Sequence, residues 1–231
     1  MLIKVIASGS TGNCYRITDG KTVIMIEAGI RFKLIQQAFD FKLHDVAGCL
    51  LSHEHGDHAK SVKDIMKAGI DCFMSPGTAK ALKLSGHRLK TVSVKQIFTI
   101  GTFKILPFEA QHDCAEPFGY LIQSGSEKLL FLTDSYYCKY RFTCVTHFLI
   151  EANYCKKILE ENIESGRTPA FIKHRLLKSH FEIENVKEFF RVNDMSACKE
   201  IYLIHMSKGN ADPELFKNEI QKITGKPVYT T

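Results

Sequence analysis

One short segment constrains this chain more than any other feature of its sequence, because it concentrates three histidines and an aspartate within six residues: His53, His55, Asp57 and His58. The apolar run 48–52 precedes the segment, and residues 58–68 show the helical spacing of apolar side chains. Neutral imidazole and carboxylate groups are suitable ligands for zinc, manganese or iron, and Gly56 can relax the turn between them. With ten histidines in 231 residues, a chance surface cluster of this kind is improbable. We therefore predict a metal site where a strand meets a helix.

Length and composition are those of a globular protein with one large core. The sequence shows no linker, repeat or low-complexity tract, so we predict a single domain over residues 1–231. Its eight cysteines are scattered and form no CxxC pair, which predicts free thiols and a cytoplasmic location. No apolar run is long enough to span a membrane, so we expect no membrane partner. The net charge of +6 mildly favours anionic substrates but decides little alone.

The order of predicted elements favours an α+β fold. Strands are predicted at 2–7, 14–18, 22–27, 48–52, 71–74, 91–94, 98–100, 103–108, 118–123, 129–133, 148–152 and 200–205. Helices are predicted at 32–39, 58–68, 76–84, 155–163, 171–177, 186–192 and 213–224. Strands come early and in the middle of the chain, with helices between and after them. Two sheets with helices packed outside fit that order better than a parallel doubly wound sheet does.

The histidine segment also matches the HxHxDH signature of the metallo-β-lactamase fold. Further segments resemble the YycJ/WalJ-like branch of that fold, in the same order along nearly the whole chain. They are the Gly-rich turn at 8–13, HDCAEP at 112–117, FLTD at 131–134, EAN at 151–153, His180, and HMSKGN at 205–210. This resemblance implies a four-layer αββα sandwich of two mixed β-sheets flanked by helices.

The resemblance also implies a site for two divalent metal ions, either Zn²⁺ or Mn²⁺. Carried over by position, the ligands of the first ion would be His53, His55 and His112. Those of the second would be Asp57, His58 and His205, with Asp134 bridging both. His112, Asp134 and His205 lie far from the segment in the sequence. Each follows a predicted strand, where polar side chains can gather at one edge of a sheet.

Three further positions are singled out. The family has an aspartate at the end of an early strand that orients the histidine loop, and Glu27 stands there, one methylene longer. His180 is expected to contact phosphate or the leaving group as a hydrogen-bond donor or general acid; the alternative is a histidine at a helix start. Asn13 is a weak candidate for substrate contact, and a hairpin turn explains its segment equally well.

These features predict a metal-dependent phosphodiesterase or nuclease that acts on DNA, RNA or a nucleotide. A metal-bridging hydroxide would be the nucleophile, and Asp57 and His180 are the expected catalytic residues. One alternative is a hydrolase of a small cyclic nucleotide. Another is a non-catalytic metal-binding or regulatory protein, which the intact ligand set argues against. The expected partner is a nucleic acid or nucleotide substrate, and the oligomeric state is left open, with a dimer among the options.

Overall fold

The computed structural model describes all 231 residues. The chain forms two compact units: the first comprises Met1–Glu109 and Cys114–Ser126, and the second comprises Ala110–Asp113 and Glu127–Thr231. The strands belong to two sheets, one of six strands and one of seven. The α+β prediction with two mixed sheets and flanking helices is confirmed.

The first unit contains nine strands and four α-helices. The strands are β1 (Leu2–Ala7), β2 (Cys14–Thr18), β3 (Val23–Ile26), β4 (Val46–Leu50), β5 (Cys72–Met74), β6 (Leu89–Thr91), β7 (Phe98–Ile100), β8 (Phe103–Glu109) and β9 (Phe118–Ser124). The helices are α1 (Phe32–Ala38), α2 (Gly56–Ala59), α3 (Val62–Lys67) and α4 (Pro76–Ala81), and a 3₁₀ turn covers Leu43–Asp45.

The six-stranded sheet of the first unit has the order β1-β2-β3-β4-β5-β6. Strands β1 to β3 pair antiparallel, and β3 to β6 pair parallel. In the β3–β4 register Ile26 lies opposite Leu50, so the residues that follow these two strands meet at one edge of the sheet. Ile35 of α1 and Ile65 of α3 are buried in the same core cluster as Met25 of β3, which holds both helices against the sheet.

The second unit contains four strands and four helices. They are β10 (Glu127–Leu132), β11 (His147–Glu151), α5 (Lys156–Glu164), α6 (Phe171–Ser179), α7 (Ile183–Val192), β12 (Glu200–Ile204), α8 (Pro213–Thr224) and β13 (Val228–Thr230). The strands β10 to β13 pair in parallel. β10 and β11 read as nearly continuous apolar runs because both of their faces are buried. The carboxyl ends of adjacent parallel strands therefore lie side by side in this unit as well.

The structure differs from the sequence predictions at three places. The predicted helix 58–68 is two helices, α2 and α3, because the N–H of Ser61 donates to the carbonyl of Ala28 at 2.9 Å instead of continuing the helical ladder. The short strand β13 was not predicted; it forms by pairing with β12, which no local pattern announces. The predicted strand 91–94 lies slightly earlier, at β6.

All eight cysteines are free, as predicted. None of the helices combines the length and the apolar character needed to cross a membrane.

Candidate metal centre

The histidine segment follows β4 and enters α2, as the sequence predicted. His53 is buried, and its Nδ1 lies 2.8 Å from Ser52 Oγ. Its Nε2 lies 3.1 Å from Nδ1 of His55. His58 is also buried, and its Nε2 lies 3.3 Å from Oδ2 of Asp57. The ring centroids of His53 and His58 are 4.2 Å apart. The four predicted ligands of this segment thus form one tight group.

Backbone contacts hold the segment in this shape. The N–H of Asn13 donates to the carbonyl of Asp57 at 2.8 Å, and the N–H of Ala28 donates to the carbonyl of His58 at 2.8 Å. A Cβ at position 29 would lie 1.6 Å from the backbone oxygen of Asp57. Gly29 is therefore required for the close approach of the two chain segments.

Glu27 follows β3 and is fully buried beside the segment. Its Oε1 accepts a hydrogen bond from the N–H of Ser52 at 3.1 Å, and its Oε2 lies 3.6 Å from Nδ1 of His58. Oε2 has no hydrogen-bond partner. The residue occupies a positive φ of 62°, a backbone conformation that a non-glycine residue adopts only when its surroundings impose it. The side chain supports the histidine loop, and one of its oxygens is held more loosely than the other.

Asn13 is buried and engaged in holding the same loop. Its Oδ1 accepts from the N–H of Gly9 at 2.9 Å and from the hydroxyl of Tyr15 at 3.1 Å. Its Nδ2 donates to the carbonyl of Asp57 at 3.2 Å and lies 3.2 Å from Nε2 of His58. These contacts give Asn13 a supporting position, and its role as a substrate contact stays a prediction.

In the second unit, the carboxylate of Asp134 lies between two histidines. Its Oδ2 is 3.5 Å from Nε2 of His112, and its Oδ1 is 3.2 Å from Nδ1 of His205. Asp134 and His205 are both buried, and both have positive φ, at 44° and 53°. Left-handed backbone at two non-glycine strand ends is unusual and concentrates at functional sites. The structure thus brings these three predicted ligands together.

His112 is oriented by a backbone contact. Its Nδ1 donates to the carbonyl oxygen of Ser179 at 2.8 Å, which leaves Nε2 as the acceptor nitrogen facing Asp134. Burial lowers the pKa of His112 below its usual value. Because only the neutral imidazole can bind a metal ion, both effects suit a ligand.

Glu151 is the functional residue to which the sequence analysis assigned no role. It ends β11 and is fully buried. Its Oε1 accepts from Nδ1 of His180 at 2.7 Å and lies 3.2 Å from Nδ1 of His205. Its Oε2 accepts from the N–H groups of Ser135 at 2.9 Å and Phe181 at 3.1 Å. A buried charge at the end of an apolar strand is the signal that could have identified it.

The Glu151–His180 pair shifts both pKa values toward the charged forms. Burial by itself would lower the pKa of His180, but the carboxylate of Glu151 outweighs it and raises that pKa. Burial would likewise raise the pKa of Glu151, and the charge and hydrogen bond of His180 bring it below its usual value instead. His180 also stacks on His205, with ring centroids 5.5 Å apart. His180 therefore lies within the cluster, hydrogen-bonded to a carboxylate that favours its charged form.

The donor set of this cluster fits a divalent cation. Candidate ligand atoms of Asp134, Glu151 and His205 all lie within 4.8 Å of one another, and His180, whose charged form Glu151 favours, is not counted among the ligands. Buried carboxylates and imidazoles in such a group are the donors that Zn²⁺ and Mn²⁺ accept.

Comparisons with known proteins identify the family of this chain. A family model described as "Beta-lactamase superfamily domain" matches residues 22–148, more than half of the chain. The chain is 28% identical to "Exodeoxyribonuclease YycJ" of Bacillus anthracis, over 95% of this chain and 87% of that protein. It is 30% identical to "Exodeoxyribonuclease WalJ" of Streptococcus pneumoniae, over 91% of this chain and 83% of that protein.

A solved structure shows the same fold. The metallo-β-lactamase fold protein YhfI from Bacillus subtilis superposes with a TM-score of 0.76 at 15% identity, covering 99% of this chain and 95% of its own. The predicted family and fold are confirmed. The chain belongs to the β-lactamase superfamily, with the metallo-β-lactamase fold and relatives in the YycJ/WalJ branch.

Proposed function

We propose that this protein is a dinuclear metal-dependent phosphodiesterase that hydrolyses DNA. The observation that carries the proposal is the carboxylate of Asp134, buried with one oxygen toward His112 and the other toward His205. A carboxylate with both oxygens so engaged is suited to bridge two cations. Two relatives that match most of the chain are named exodeoxyribonucleases, which supports DNA as the substrate.

We propose that residues 1–231 act as one hydrolase domain. By the family resemblance, each ion would take four side chains, with Asp134 common to both sets. The first set would be His53, His55, His112 and Asp134; the second would be Asp57, His58, His205 and Asp134. Zn²⁺ and Mn²⁺ both suit this mixture of imidazole and carboxylate donors. The free cysteines suit the reducing cytoplasm.

The two ions, when bound, lower the pKa of water to near neutrality and offset negative charge on the phosphate. The protein's own groups do the rest. Glu151 keeps a proton on His180, which can then be given to the leaving oxygen of the phosphodiester. Asp57 carries the charge that a second cation requires. Glu27 and the backbone of Asn13 hold the loop on which Asp57 and His58 stand.

The test is a substrate screen with metal-loaded protein. The chain is purified with Mn²⁺ or Zn²⁺ and assayed on bis-p-nitrophenyl phosphate, single- and double-stranded DNA, RNA and cyclic nucleotides. We expect about two metal ions per chain and turnover of DNA. Turnover confined to cyclic nucleotides would favour the alternative substrate, and two bound ions without turnover of any phosphodiester would overturn the proposal.

A matched pair of variants tests the dinuclear site itself. Asp57→Ala should lose one ion and all measurable turnover while keeping its fold. Asp64→Ala removes an aspartate whose side chain is 47% exposed from the neighbouring helix α3 and should change neither quantity. Retained activity in the Asp57→Ala variant would contradict the proposed mechanism.

A further inference from the structure

The loop between Asp134 and β11 carries an unusual mixture of aromatic and cationic side chains. Over seven residues, 136–142, it contains four aromatic rings, those of Tyr136, Tyr137, Tyr140 and Phe142, and two cations, Lys139 and Arg141. None of the seven residues is acidic. Tyr137 is 56% exposed. None of these residues is a candidate metal ligand or catalytic residue.

Part of the loop lines a cavity of 220 Å³ in the second unit. Tyr137, Tyr140 and the two cations form one side of the cavity, and residues of helix α7 together with Phe181 form the other. The cavity therefore offers aromatic surface and positive charge together.

Both ends of the loop are held in place. At its start, the hydroxyl of Ser135 donates to the carbonyl of Tyr137 at 2.8 Å. At its end, the N–H of Phe142 donates to Oδ1 of Asn193 at 2.7 Å, and Asn193 Nδ2 donates to the carbonyl of Phe189 in α7 at 2.7 Å. The cavity is thus formed before any ligand arrives, which lowers the entropy lost on binding.

The carboxylate of Glu151 is hydrogen-bonded both to the surroundings of the cavity and to the candidate metal centre. Oε2 of Glu151 accepts from the N–H of Ser135, next to the loop, and from the N–H of Phe181, in the cavity wall. The other oxygen of the same carboxylate holds His180. The cavity wall and a group assigned to the reaction therefore share one carboxylate as their hydrogen-bond acceptor.

The lining chemistry fits a nucleotide better than an apolar ligand. Tyrosine rings stack on nucleobases of any sequence, and the side chains of Lys139 and Arg141 suit phosphate oxygens. The amide of Asn185 can donate to or accept from a base edge. The one carboxylate in the lining, Glu188, lies 3.5 Å from Nη1 of Arg191, which offsets its charge.

We propose that this cavity binds one nucleotide of a single-stranded segment of the DNA substrate, with the base on Tyr137 and Tyr140 and the phosphates on Lys139 and Arg141. This inference rests on the proposed function. It adds a substrate-binding site outside the metal ligands and predicts that binding depends on one nucleotide position of the strand.

Binding of metal-free protein in EDTA to fluorescent oligothymidylate tests the proposal without turnover. A series of strands carries a single abasic residue at successive positions. We expect one or two positions at which base removal weakens binding about tenfold, and Tyr137→Ala should weaken binding to the intact strand by a similar factor. Tyr137→Phe should bind as the wild type does, because the ring is kept.

The charged part of the cavity has its own readout. The double variant Lys139→Ala with Arg141→Ala should bind the strand more weakly. It should also reduce the slope of log K against log salt by about 1.4, since each phosphate contact on a single strand contributes about 0.7. Tyr229→Ala, which removes an exposed ring on β13, and Lys222→Ala, which removes an exposed cation on α8, are the matched controls and should leave binding unchanged.

The outcomes separate this inference from the proposed function. If the wild type cleaves DNA but the abasic series is flat, or if Tyr137→Ala binds like Tyr229→Ala, the cavity proposal is wrong and the proposed function stands. If the metal-loaded wild type cleaves no phosphodiester, the proposed function fails first, and both are overturned.

Discussion

Two buried glutamates, one in each unit, support candidate metal ligands, and they do so to different degrees. Glu27 in the first unit accepts one backbone hydrogen bond and lies 3.6 Å from His58 with an oxygen that has no hydrogen-bond partner. Glu151 in the second unit accepts from two backbone N–H groups and one imidazole, and it also lies 3.2 Å from His205. The two carboxylates have equal burial and unequal numbers of partners.

The difference shows which of the two carboxylates matters more for holding the candidate ligands in position. Around Glu27, backbone contacts to Asn13 and Ala28 also hold the histidine loop, so the carboxylate shares its task. Around Glu151, the histidines come from separate parts of the chain, and one carboxylate joins them. A buried charge with several donors is costly to remove because every donor is left without its partner.

The largest effect is expected from Glu151→Gln. The amide has one accepting oxygen and one donating nitrogen, so either the backbone donors or the imidazoles lose their acceptor. We expect turnover to fall roughly 100-fold, as for other residues that orient metal ligands, and the free energy of unfolding to fall by about 2 kcal/mol. Steady-state kinetics and urea unfolding measure the two effects.

The control for that variant is Glu184→Gln, a change at an exposed glutamate on α7, which should alter neither quantity. Turnover within twofold of the wild type in Glu151→Gln would refute the role assigned to this carboxylate.

A smaller effect is expected from Glu27→Gln. The amide can keep the contact to the N–H of Ser52, and only the charge facing His58 is lost. We expect metal affinity to fall about tenfold, at the lower end of the range for residues that orient ligands. Titration of metal into the metal-free protein measures this change.

Glu27→Asp sharpens the same comparison, since it restores the shorter side chain typical of the family. We expect a loss of about threefold or less, because the charge is kept while the reach is reduced. If either substitution at Glu27 lowers turnover as much as Glu151→Gln does, the contrast between the two carboxylates is wrong.

The smallest effect on the candidate centre is expected at His147, a buried histidine on β11 that is not a candidate ligand. Burial lowers the pKa of His147 from 6.5 to about 4, the opposite of the shift at His180. The unfolded chain binds a proton there below about pH 6.5, and the native protein does so only near pH 4. The stability that neutral His147 contributes is therefore present above pH 6.5 and is lost as the pH falls toward 4.

His147→Gln removes this titration, so its free energy of unfolding should fall less between pH 7 and pH 4.5, by about 2 kcal/mol. Urea unfolding of wild type and variant at both pH values, without metal, gives the difference while the other histidines cancel. Equal pH dependence in the two proteins would show that His147 is not buried in its neutral form.

The sequence predicted the elements well and missed features that depend on distant contacts. The strands and helices around the core followed from local apolar spacing. The break between α2 and α3 did not, because it depends on the hydrogen bond from Ser61 to Ala28. Strand β13 was missed for the same reason, since its pairing partner β12 lies earlier in the chain.

The sequence alone determined the histidine segment, because His53, His55, Asp57 and His58 are neighbours in the chain and their spacing is visible without a fold. Resemblance to a family was needed to associate His112, Asp134 and His205 with it. Only the tertiary structure decided the role of Glu151 and the loose contact of Glu27 with His58. The physical reason is that parallel pairing places the carboxyl ends of strands side by side, whatever their separation along the chain.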